Sequence, residues 1–63
     1  MHTDNAAASR HIEIWRQVLL EARAAGDNET ARDISGWLFG VSRILIDLGF
    51  MDLADIALEA AVS

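Results

Sequence analysis

The side chains that could do chemistry in this sequence begin with the hydroxyls of Ser35, Ser42 and Ser63. A nucleophilic hydroxyl needs a base within hydrogen-bond reach, and the only imidazoles, His2 and His11, stand near the start of the chain and out of register with all three. The carboxylates Asp52, Asp55 and Glu59 recur at helical spacing, which could pair a general acid with a general base. They fall on a short stretch that reads as an exposed helix, where nothing would push their pKa values apart. Two histidines without ligand spacing and no cysteine give no metal site, no cofactor, no disulfide and no thiol chemistry. The stretch "GWLFG", residues 36–40, is not set between a strand and a helix, so its glycines are not a phosphate loop. The sequence reads as a non-enzyme.

Charge narrows the partners. Ten carboxylates face five arginines, there is no lysine, and the net charge is -5, so the long-range field repels a phosphate backbone. Past Arg43 the chain carries Asp47, Asp52, Asp55 and Glu59 without a cation. Asp52, Asp55 and Glu59 are either a solvated helix face or a patch that steers a basic partner, an effect on association rate that salt weakens.

These residues must be positioned by helices. Proline is absent and alanine and leucine abound, which favours helix throughout. The pattern predicts an all-α domain over residues 1–63: an antiparallel hairpin of about 4–25 and 28–48, and a short third helix of about 52–62. Thr3 or Asp4 caps the first helix, Gly26 stops it, and Asp27 or Asn28 caps the second. Gly49 then takes the left-handed position with Phe50 folding back on Leu45, and Asp52 caps the third helix.

Spacings of three and four place Ala8, Ile12, Trp15, Leu19 and Ala22 on the buried side of the first helix, with His11 at its margin. In the second helix Ala31, Ile34, Leu38, Val41, Leu45 and Leu48 form the matching seam, widened by Trp37 and Ile44. Leu53, Ile56, Ala57 and Ala60 form the stripe of the third. A run from 34 to 51 is the best membrane candidate, but Arg43 and Asp47 each cost roughly 2.5–3.5 kcal/mol at a bilayer centre. With no secretory pattern at the start, a cytoplasmic location is expected.

What the seams leave over suggests the function. Phe39 and Ile46 fall opposite Val41 on the helical wheel, beside Arg43, Gly36 and Gly40, so the second helix has two apolar sides. Gly36 either makes room for Trp15 or the third helix, or it forms with Gly40 a small-xxx-small contact across an oligomer. A chain this short buries only about 60% of its unfolded surface and lacks disulfides and metal, so self-association is expected, a homodimer first. The expected interface is Gly36, Phe39, Gly40, Arg43, Ile46, Phe50 and Met51.

Three resemblances bear on this. Leu38, Val41, Ser42, Leu45, Gly49, Ala54, Leu58 and Ala61 resemble the spacing of one tetratricopeptide unit, which implies a helix-turn-helix of a chaperone or adaptor kind that buries its faces only against neighbours. The short acidic hairpin is similar to plasmid copy-number Rop-type dimers, which implies binding of paired RNA loops by the first helix, here through Arg10, Arg16 and Arg23. The segments "IWRQVLLEARA" and "ETARDISGWL", with Trp15, Val18, Glu21, Ala22, Thr30, Arg32, Asp33, Trp37 and Leu38, resemble small phage-encoded helical inhibitors of the anti-quorum-sensing and anti-CRISPR type. That resemblance implies a dimer that binds and inhibits a host regulatory protein.

Overall fold

A computed structural model describes residues 3–63, with side chains from residue 5 onward. The chain forms three helices, α1 (Thr3–Ala24), α2 (Asn28–Leu48) and α3 (Met51–Ala61), and no strand among the described residues. His2 and the side chains of Thr3 and Asp4, expected at the first cap, lie outside what is described.

Both joints are built without a loop. The Gly26 N–H donates to the Arg23 carbonyl at 3.1 Å and the Asp27 N–H to the Ala22 carbonyl at 2.9 Å, with Gly26 at φ 75°. This is the Schellman pattern, which satisfies carbonyls that the helix end leaves free. Asp27 then starts the next helix, its Oδ1 accepting from the Thr30 N–H at 3.2 Å. The second joint repeats the pattern. Gly49, at φ 88°, donates to Ile46 and Phe50 donates to Leu45, at 3.0 and 2.8 Å. Helix α2 therefore stops at Leu48 as its sequence predicts.

The third helix starts differently from expectation. Phe50, not Asp52, is its N-cap residue, and it offers no side-chain cap; its carbonyl accepts from the Ala54 N–H at 2.9 Å. Because the Schellman turn already fixes Phe50, the helix begins one residue later. Asp52 falls in the first turn, where a carboxylate still favours the positive end of the helix dipole.

The core is narrow and rich in alanine. Leu19 and Leu38 are 0% exposed, and around them cluster Ile12, Ala22, Ala31, Ile34, Ala57, Ala60 and Ala61, with Val18, Val41 and Leu45 packed at the edge. Helix α3 makes its most extensive contact with α2 and also packs on α1. Its face of Ala54, Ala57, Ala60 and Ala61 lets backbones approach closely. Hydrogen bonds pin its last turn to both neighbours. The Ser35 hydroxyl donates to the Ala61 carbonyl at 2.7 Å, and Arg16 Nε donates to Ser63 Oγ at 3.1 Å, while Ser63 Oγ donates to the Glu59 carbonyl at 3.0 Å.

That docking turns α2 away from the expected seam. Ser42 is buried, its hydroxyl satisfied by the Phe39 carbonyl at 2.8 Å, whereas Trp37 is 50% exposed, Ile44 60% and Leu48 65%. The alanine face of α3 takes the side of α2 that carries Ser35 and Leu38, so the centre of burial lies about 75° around the wheel from the Val41–Leu48 edge. Trp37, Ile44 and Leu48 are thus rim residues, not core. Trp15 is half-exposed for the same reason, and His11 lies in solvent instead of at the core margin. On α3, Ile56 is displaced from the buried stripe by Ala54 and Ala61.

Candidate interaction surface

The outer side of α2, opposite Leu38, has a glycine floor. Gly36 and Gly40 share it with Asp33, Arg43 and Asp47, all exposed. A Cβ built on either glycine meets nothing within 4 Å. The expectation that Gly36 makes room for Trp15 or for the third helix is therefore overturned, because neither lies near it. Each glycine costs about 1 kcal/mol of helix propensity against alanine, and no contact among the described residues requires it.

Apolar shoulders flank this floor. On one side stand Trp37, Ile44 and Leu48, continued onto α1 by Trp15, whose ring lies 5.3 Å from that of Trp37 at an interplanar angle of 52°. On the other stand Phe39 and Ile46, 41% and 49% exposed.

Of the residues picked out from sequence, Gly36, Phe39, Gly40, Arg43 and Ile46 come together on this outer half of α2. Phe50 and Met51 are exposed at the α2–α3 joint, away from the glycines in sequence and on a separate element. Asp52, Asp55 and Glu59 project from α3 into solvent, and none of them is in an ion pair; the one ion pair among the described residues joins Arg16 and Glu13 at 3.2 Å. The sequence reading missed Trp37, Ile44 and Leu48 as surface. Spacing could not have found them, because the three-four pattern is the same for a core seam and for a docking strip.

Electrostatics are mild across the surface. The Glu13 carboxyl lies below its usual range because Gln17 donates to it at 3.0 Å, with Arg16 adding its charge. The Asp27 carboxyl is likewise lowered by hydrogen bonds from Thr30. An open groove of about 540 Å³ beside the outer face is lined by Arg23, Asn28, Arg32, Ser35, Gly36 and Phe39. No cluster of histidine and carboxylate side chains among the described residues could hold a metal ion. No described helix is long and apolar enough to cross a membrane. Comparison with family models, with curated proteins and with solved structures finds no match for this chain.

Proposed function

We propose that the protein is a small, non-enzymatic protein-interaction module, in which the α1–α2 hairpin and α3 form half of a homodimeric bundle that binds and regulates another protein. The observation that carries this reading is the unpartnered apolar strip of α2. Trp37, Ile44 and Leu48 are each at least half exposed on one helix edge, and a contiguous strip of that kind marks an interaction site more often than a free surface. The resemblance to phage-encoded inhibitors points to a host regulator or a defence complex in the cytoplasm as the partner. Acidic Asp52, Asp55 and Glu59 would speed encounter with a basic partner surface.

The test compares capture by wild type and by surface variants. Phe39→Asp and Trp37→Glu, each with helical content intact by circular dichroism, should lose a specific cytosolic protein that the wild-type chain retains. Retention of the same protein by both variants removes the reading. The groove with Arg23, Arg32 and Phe39 favours a second reading, RNA binding in the manner of Rop-type dimers. Binding to RNA that persists at physiological salt would support that alternative against the first.

A further inference from the structure

We propose that two copies of this chain pack antiparallel through the outer face of α2, crossing at Gly36 and Gly40, so that Asp33 of each copy meets Arg43 of the other. The proposal deepens the homodimer reading above and rests on it. The occupant of the face is a second copy because the face is complementary to itself. An antiparallel crossing centred between Gly36 and Gly40 sets Gly36 of one copy against Gly40 of the other, and in the same register residue 33 stands level with residue 43. Two opposite charges therefore face each other twice, once on each side of the dyad.

Geometry decides the crossing. Asp33 and Arg43 lie on opposite flanks of the glycine floor, each about 40° from its centre. A shallow left-handed crossing of about +20°, the common angle in helical bundles, brings the two flanks together at that level. The opposite tilt moves them apart. Arg43 is in no ion pair among the described residues, and its long side chain spans the remaining offset. Glu29 and Asp47 come level about 13 Å from the centre, where a crossing of about 20° shifts the two axes sideways by only about 5 Å, so these like charges oppose the pairing and weaken the dimer.

The floor and shoulders fit the same arrangement. Open space over both glycines lets the two backbones approach as no other part of α2 allows. The dyad places both copies of Trp37 on one side of the crossing and both copies of Phe39 on the other, so each aromatic meets its own counterpart. Half-exposed Trp37 and Phe39 offer roughly 100 Å² each. The buried total is small for a specific interface, so the dimer dissociates on dilution.

Sedimentation equilibrium across a concentration series reads this directly. Wild type should move from monomer to dimer. Asp33→Arg and Arg43→Asp should each raise the dimer Kd by roughly tenfold or more, and the double variant, with the charges exchanged, should recover most of that loss. Both side chains are exposed, and circular dichroism confirms that each variant stays folded. Orientation has its own test that leaves the glycines in place: the chain has no cysteine, so Asp33→Cys and Arg43→Cys chains mixed under oxidation should form a mixed disulfide, whereas neither alone should cross-link. Cross-linking of Asp33→Cys with itself indicates a parallel pair and overturns the proposal. So does a double charge variant no better than the singles. A monomer at every concentration also overturns it, and leaves partner binding to be judged by the capture experiment above.

Discussion

Replacing Gly36 and Gly40 by alanine separates what these residues do for one chain from what they do for two. Within one chain the methyl groups meet nothing within 4 Å, so no steric cost and no burial gain arises, and helix propensity alone sets the effect. Each substitution should stabilise the monomer by about 1 kcal/mol, and the double variant by about 2 kcal/mol. A domain of this size shifts its melting temperature by roughly 4–8 °C per kcal/mol, so the double variant should melt about 8–16 °C higher. Thermal circular dichroism on dilute protein measures it. At high concentration the gain should shrink, because methyl groups from both copies hold the two α2 backbones apart and weaken the dimer that stabilises wild type by mass action. A melting temperature that is unchanged or lower in dilute protein refutes the claim that nothing in the chain lies over the glycines. A gain that is equal at all concentrations refutes close approach between copies.

Leu38→Ala should cost about 2–5 kcal/mol, because the side chain is 0% exposed at the meeting point of all three helices. A 63-residue domain has roughly 3–9 kcal/mol in total, so the urea midpoint should collapse and helical signal fall at ambient temperature. A loss below about 1 kcal/mol would place the core elsewhere. The acid limb of the stability curve follows from Asp27 and Glu13. Both carboxyls are held below their ordinary values of 3.8 and 4.5, so their contribution is full above those values and is lost as pH falls through the lower folded ones. Melting temperature should therefore decline below about pH 4.5, and Asp27→Asn, which keeps an oxygen to cap Thr30 without a titrating proton, should flatten part of that decline. An identical acid profile for this variant would show that the Thr30 hydrogen bonds do not set it.

The ends of α1 and α2 and the start of α2 were legible because their signals are local, whereas the start of α3, expected at Asp52, was not. Gly26 and Gly49 each satisfy freed carbonyls through one left-handed residue, and Asp27 caps through one side chain, so a few neighbouring residues determine each stop and start. The buried faces were less legible because they depend on which helix is the neighbour. A seam drawn for α1 against α2 favours the bulkiest side chains, Trp37, Ile44 and Leu48. Close packing of α3 instead favours the smallest, Ala54, Ala57, Ala60 and Ala61, and recruits Ser42 into the core. Phe39, Ile46 and the glycines stand out in the sequence because they contradict the helix's own period. Trp37 was missed as surface because it agreed with it.

The doubled use of the joint residues bears on the thermodynamics of recognition. Asp27 closes one helix and opens the next, and Phe50 does the same at the other end of α2. Neither end of that helix has a loop to freeze when a partner arrives. The entropy that flexible interfaces lose on binding, roughly 0.5–1.5 kcal/mol for each immobilised side chain plus loop ordering, is here confined to side chains. A modest contact area can then support a specific complex, with association rates set by diffusion and orientation more than by conformational search.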